Sequence, residues 1–252
     1  MQAFWLFLMM ISVGYASHVA SLSFWSGFLS HTLHFIFVTL WVGTLLQVAW
    51  FTKESKNWTR FLHWFTPFAI VCLLFIVTSG IMIMFFVVEP KDYVNAWAIP
   101  YGQMLLLKHL SIIPVLIFAF INGLLAKKSS LTSSFLQQRW VKAESIILLV
   151  VFFFTGVMGT LSPPHTVNDT VKAEGAASWA EALMGKHIEA PFQIEFVLSL
   201  EGISLILIAC AFLALLIGCF FKKVTPIVSV CLGFLFIFSM YLGLMWSVSI
   251  VD

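Results

Sequence analysis

Long apolar runs separated by short polar interruptions fill this chain from its first residues to its last. A helix needs about 20 residues to cross the hydrocarbon core of a bilayer. By that measure the runs predict up to seven spanning helices, at roughly 3–20, 27–51, 62–88, 101–126, 140–161, 192–221 and 224–249. The first is interrupted by Ser12, Gly14 and Ser17, so a six-span reading stands beside the seven-span one. Its GYAS stretch also has the small residues of a signal-cleavage site, but the run lacks the basic residues that open a secretory leader. The expected fold class is all-α, a polytopic transmembrane helical bundle of about seven helices, or six if the first is not a span. No fixed-period repeat stands out, so residues 1–252 read as a single transmembrane domain.

Composition narrows the function classes. Hydrophobic residues make up 61% of the 252 positions and charged residues 10%. A soluble domain carries about 25% charged residues to keep its surface wet. A soluble enzyme and a nucleic-acid binder are therefore excluded, and the lipid bilayer is the first partner. Cys72, Cys210, Cys219 and Cys231 lie in apolar runs without paired spacing and read as inert filler.

Charge then orients the bundle. Lys53, Lys56 and Arg60 fall between the second and third runs, Lys127, Lys128, Arg139 and Lys142 between the fourth and fifth, and Lys222 and Lys223 between the sixth and seventh. Alternate loops hold only Lys91, Lys172 and Lys186, with most of the acidic residues. The positive-inside rule makes the basic loops cytoplasmic, with the N-terminus inside and the C-terminus outside if there are seven spans. One long outer loop follows, residues 162–191. It opens on Pro163 and Pro164, which end the fifth helix, and contains a short helix within 176–187 that reads as an interfacial cap.

Ionisable side chains within spans are costly and are functional candidates by default. His31 and His34 lie three apart on one helix face and His109 at comparable depth; Lys108, Glu195 and Glu201 fall within runs, and either glutamate is a partner for Lys108. Glu144, beside Arg139 and Lys142, reads as an ion-paired interfacial residue, and Asn122 as an interhelical hydrogen-bonding residue. His18, His31, His34, His109, His165 and His187 all map to the outer loops or outer helix halves, as do Met82, Met84, Met104, Met158, Met184, Met240 and Met245. Imidazole suits divalent copper and thioether selects the soft monovalent ion. An outward collection of both points to copper. Each Met taken singly is also ordinary membrane-helix filler, and each His a hydrogen-bonding residue near an interface.

Four runs carry a family resemblance: LHFIFVTLWVGTLLQ (Leu33 to Gln47), TSGIMI (Thr78 to Ile83), YGQMLLLKHL (Tyr101 to Leu110) with Asn122 downstream, and RWVKAESIILLV followed by GTLSPPH, ending at His165. They resemble the copper resistance D (CopD) family over roughly residues 30–165, and the matching positions are His34, Trp41, Gly43, Tyr101, Gly102, Lys108, Glu144, Pro163 and Pro164. The resemblance implies a bacterial plasma-membrane protein of copper uptake or resistance. Some members carry a fused extracytoplasmic copper-binding domain; this sequence does not, so the expected donor is a separate extracytoplasmic copper-binding protein. The His-to-WVG helix and the LLLK helix are also similar to haem-binding membrane proteins related to CopD.

The leading expectation is copper uptake or transfer. Copper is received by His31, His34 and His109, with Met82, Met84, Met104 and Met158 as softer ligands. His18, His165 and His187 stand at the entrance, and Trp41, Tyr101, Lys108 and Glu201 in support. The first alternative is a haem b redox protein with axial ligands drawn from His34, His109 and His31, and the second a non-transporting copper sensor or assembly factor. Binding or transport is favoured over catalysis. An enzyme on this scaffold would be a haem-dependent oxidoreductase, since no GxSxG or GxxxxGK motif is present.

Overall fold

The computed structural model describes residues 1–252 except 53–57, 126–133, 165, 198 and 252. In chain order the helices are α1 (Gln2–Tyr15), α2 (His18–Leu22), α3 (Phe24–Phe51), α4 (Trp58–Val87), α5 (Pro100–Phe120), α6 (Ser134–Met158), α7 (Val167–Glu174), α8 (Ser178–Met184), α9 (Leu200–Phe221) and α10 (Pro226–Met245). Two short 3₁₀ turns, Pro90–Asp92 and Asn95–Ala98, precede α5, and a π turn, Ile121–Leu125, continues it. Strands β1 (Gln193–Phe196) and β2 (Val248–Val251) pair antiparallel, with Gln193 opposite Val251.

Among the described residues six helices are long and apolar enough to cross a membrane: α3, α4, α5 with its π turn, α6, α9 and α10. The chain is an all-α polytopic bundle. The first predicted run does not make a seventh span. It stops at Tyr15 after 14 residues, about 21 Å of helix against a hydrocarbon core of about 30 Å. The break is built into the sequence: Ser17 turns out of the helix and its hydroxyl accepts from the Ala20 amide at 3.3 Å, opening α2. Large apolar side chains remain outside the fold, among them Leu74 and Leu207, each 64% exposed. Such surface is covered by lipid.

Two further boundaries differ from the sequence expectation. The sixth run was expected from 192 and the seventh to 249, but α9 begins at Leu200 and α10 ends at Met245. The flanking residues form β1 and β2 because each is a short apolar-polar alternation, a strand's period, set against the other. Glu195, expected inside a span, is therefore an exposed strand residue, and Glu201, expected deep in the sixth span, is an exposed residue of the first turn of α9.

The structure divides into two compact units, one built on Met1–Pro90 and the other on the chain that follows. In the first, α3 packs along α4 with Phe37 stacked on Phe75 at 4.2 Å, above a core of Trp41, Leu45, Ala49 and Cys72. In the second, Trp140 of α6 lies between Phe118 of α5 and Phe220 of α9. There α9 and α10 approach through glycines: a Cβ on Gly243 would stand 3.1 Å from the Gly202 carbonyl oxygen. Close backbone contact of this kind is how helices associate in lipid, where the hydrophobic drive between them is absent.

The outer connections of the second unit are held by buried polar contacts. Gln103 is fully buried; its amide nitrogen donates to the Trp97 carbonyl and to Met245 Sδ (3.5 Å), and its oxygen accepts from the Tyr241 hydroxyl. This ties α5, α10 and the 3₁₀ turn together. Gly102 is required beside it, since any Cβ there would run into the Ala96 carbonyl. The loop expected as 162–191 carries α7 and α8, and the helix expected within 176–187 is α8. The Ala177 amide reaches the Ala98 carbonyl at 2.8 Å, and the Ile194 amide reaches Asn95 Oδ1 at 2.8 Å.

Candidate functional site

The seam between α3 and α4 holds the best-defined candidate. His34 Nδ1 lies 3.0 Å from the Ile76 carbonyl oxygen and 3.1 Å from Ser79 Oγ. A carbonyl oxygen can only accept, so Nδ1 carries the proton. Ser79 directs its own proton to the Phe75 carbonyl and therefore also accepts from the ring. The tautomer is thereby set: Nε2 is the unprotonated nitrogen, the one that keeps a lone pair. A ring N–H donated to a backbone carbonyl is the usual way a protein fixes the orientation of a metal-binding imidazole.

A glycine and a thioether lie along the same seam. Gly80 faces the ring, and a Cβ there would lie 3.2 Å from His34 Cε1. Ser30, one turn before His34, donates to Met82 Sδ at 3.8 Å, so the Met82 thioether lies along the same seam. Met84 follows Gly80 by one turn on that helix face and is half-buried, as is His31. His31, His34, Met82 and Met84 thus belong to one helix pair of the first unit, with Trp41 buried further along α3.

The other expected site residues are in the second unit or at the surface. On α5, His109 Nδ1 is 2.7 Å from the Tyr93 hydroxyl, with the rings 5.8 Å apart. Burial pushes the Tyr93 phenol up to about 12, an effect partly offset by the neighbouring Trp97, so Tyr93 stays a neutral hydroxyl. A hydroxyl both donates and accepts, so this bond orients His109 without choosing its tautomer. Met104, one turn before Lys108, is half-buried, as are Lys108, Tyr101 and Met158. Glu201 and Glu195 are both exposed and do not have the depth expected of a partner for Lys108.

Among the entrance residues, His18 is exposed at the start of α2. His187 is exposed, with Nδ1 2.6 Å from Glu181 Oε1 and Nε2 3.6 Å from Glu189 Oε1. His165 lies outside the described residues. Among the described residues no three His, Cys, Asp or Glu side chains gather as a metal ion would require. Sequence reasoning missed Ser79, Gly80 and Tyr93. The first two carried a signal, a small polar pair inside an apolar helix at the head of the TSGIMI run; Tyr93 carried none.

Glu144 differs from its expected role as an ion-paired interfacial residue. It is 2% exposed, and its carboxylate accepts from Asn122 Nδ2 at 2.7 Å. Asn122 is the interhelical hydrogen-bonding residue that was expected. Glu144 was misread because its neighbours in sequence are basic, whereas its neighbour in space comes from the π turn that continues α5.

Residues 59–158 match the family described as CopD, Copper resistance protein D. The matched segment contains the TSGIMI, YGQMLLLKHL and RWVKAESIILLV runs, while the helix bearing His31 and His34 precedes it. The chain is also 30% identical over 146 residues to the copper transport protein CutJ of Bacillus subtilis (strain 168). That alignment covers 55% of this chain and 26% of CutJ, so the chain spans about a quarter of its relative's length. No solved structure matches.

Proposed function

We propose, from the match of residues 59–158 to the CopD family, that this multi-pass membrane protein takes up copper or transfers it across the plasma membrane, receiving the ion on the α3–α4 seam. One observation carries the reading: His34 is held by Ile76 and Ser79 in the tautomer that offers Nε2 as a ligand. Met82 reaches the same seam through Ser30, Met84 follows it on α4, and His31 stands one turn from His34 on α3. A site that mixes imidazole with thioether serves a metal in transit. Its ligands are few and exchangeable, and thioether favours the monovalent ion.

His109, oriented by Tyr93, with Met104 and Met158 supplies further donors in the second unit, and His18 and His187 stand toward the entrance. The basic ends of the helices face the cytoplasm in this reading. An even number of crossings then puts the start of α3 and the end of α10 on the outer side, where a separate copper-binding protein delivers the ion. CutJ is named a copper transport protein, which supports transport over a sensor or assembly role.

The test is copper loading of the purified protein, with an absorption spectrum. Copper that is retained by the native chain and lost in His34→Ala, together with reduced cellular copper accumulation, is the expected result. A Soret band that disappears in His34→Ala would replace copper by haem b, since the same ring geometry suits an axial haem ligand. Copper bound normally but with unchanged accumulation would reduce the role to sensing or assembly.

A further inference from the structure

A second polar site lies at the basic end of the second unit, remote in chemistry from the imidazoles and thioethers. Its centre is Glu144, 2% exposed, accepting from Asn122, itself 6% exposed. Asn122 sits in the π turn that continues α5, a local widening of the helix found often at functional positions. The third member comes from α10. Gly233 meets Ile147 of α6 and Pro114 of α5, at 3.3 and 3.6 Å from its Cβ position. Ser229 lies one turn before Gly233, and Glu144 nearly one turn before Ile147. Both helices run outward from the basic end, so the two side chains fall in the same layer on its inner side. Ser229 is fully buried, and among the described residues its hydroxyl has no hydrogen-bond partner.

An ionised carboxylate at membrane depth requires a positive partner, because neutral hydrogen bonds alone do not replace its hydration. The surroundings offer little. On α6 itself Arg139 is exposed and Lys142, two residues before Glu144 and so on a different face of the helix, is half-buried; α5 and its π turn contribute no titratable group near Asn122, and Lys127 and Lys128 lie outside the described residues. From α9 come buried Cys219 and exposed Lys222, and the facing turns of α10 bring only Cys231, which is exposed. Among the described residues Glu144 has Asn122 as its partner and no salt bridge.

We propose that Glu144, Asn122 and Ser229 form a site for one exchangeable hard monovalent cation, a proton or a sodium ion. The donors are all oxygens once the Asn122 amide turns its carbonyl end inward, and oxygen donors suit hard cations and not monovalent copper. Charge balances in the exchange: sodium entering beside the carboxylate displaces one proton, and the proton returning displaces one sodium. The site stands independently of the copper reading, and would give the protein an ion whose exchange can drive a conformational step.

Infrared difference spectra of the purified protein test this in the region of the protonated-carboxyl stretch. One band that fades as the buffer is made alkaline, whatever the salt, and is absent from Glu144→Gln identifies the proton. The same band suppressed by sodium chloride but not by choline chloride identifies sodium. Ser229→Ala, which removes one oxygen and little volume, is expected to shift the midpoint of either response. Should native protein and Glu144→Gln give the same spectra throughout, or should Ser229→Ala leave the midpoint where it was, the proposal is overturned. The native and Ser229→Ala titrations decide the matter even if Glu144→Gln does not fold.

Discussion

Gly80→Ala should separate copper binding from stability more cleanly than removal of the histidine itself. The new Cβ would stand 3.2 Å from His34 Cε1 and 3.5 Å from Nδ1, and the imidazole must give by a few tenths of an ångström. Its anchors are on the helix that pushes it. The ring bonds Ile76 and Ser79 of α4 at 3.0 and 3.1 Å, and moving off α4 stretches both. Since N–H···O bonds weaken beyond about 3.2 Å, roughly one hydrogen bond is lost, at about 1 kcal/mol. Against this, alanine is favoured over glycine inside a helix by about 0.5–1 kcal/mol. The two terms nearly cancel, so thermal unfolding in detergent should move little. Copper affinity behaves differently. Losing the contact that orients a ligating imidazole typically costs about 10- to 100-fold in metal affinity. A competition titration against a chelator should therefore show at least a tenfold loss on an unchanged fold. Native copper affinity in Gly80→Ala, with the Ala methyl in place, would refute the argument that His34 is an oriented ligand.

Two other outcomes follow from the second unit. Gln103→Leu removes the partners of the Trp97 carbonyl and the Tyr241 hydroxyl together, and should destabilise the protein by about 2–4 kcal/mol, measured by denaturation in detergent; a change below 1 kcal/mol would deny the network its structural role, on the same measure of about 1 kcal/mol per bond. Tyr93 is an alkaline-sensitive group outside the spans: its folded-state value of about 12 lies above its ordinary 10.0. Its contribution is therefore complete below pH 10.0 and is lost as pH rises through about 12. Tyr93→Phe should reduce the slope of that segment of the stability profile, and an unchanged alkaline slope would exclude Tyr93 as a source.

The spanning helices were legible because a bilayer imposes one length on an apolar run, and α3 to α6 begin and end within six residues of the expected limits. Windows of hydropathy fail where an element is apolar yet not helical. Phe196 and Val197 raise the average before α9, and Val248, Ile250 and Val251 do so after α10, but a period of two and a facing partner make both segments strand. Depth is inherited from boundaries, so Glu195 and Glu201 were placed too deep by the same error. The histidine pair was visible as a spacing of three. What holds His34, a backbone carbonyl and a serine from the neighbouring helix, depends on how two helices lie together and leaves no periodic trace along either. Gln103 was hidden for a simpler reason: a neutral amide in a span draws no notice until its three partners are seen.

The strand pair has a mechanical consequence for the last two spans. At one end α9 and α10 are joined by the short turn at 222–225; at the other the β1–β2 ladder, with the Val197 amide on the Ser247 carbonyl and the Ser199 hydroxyl on the Trp246 carbonyl, stitches the chain entering α9 to the chain leaving α10. The two helices are thereby fastened into a closed ring of chain. One cannot slide by a helical turn past the other without tearing the ladder or unwinding the turn. Motion of this part of the bundle is left with tilting of the pair as a single stiff panel, and a force applied to β2 is felt along the whole length of both helices.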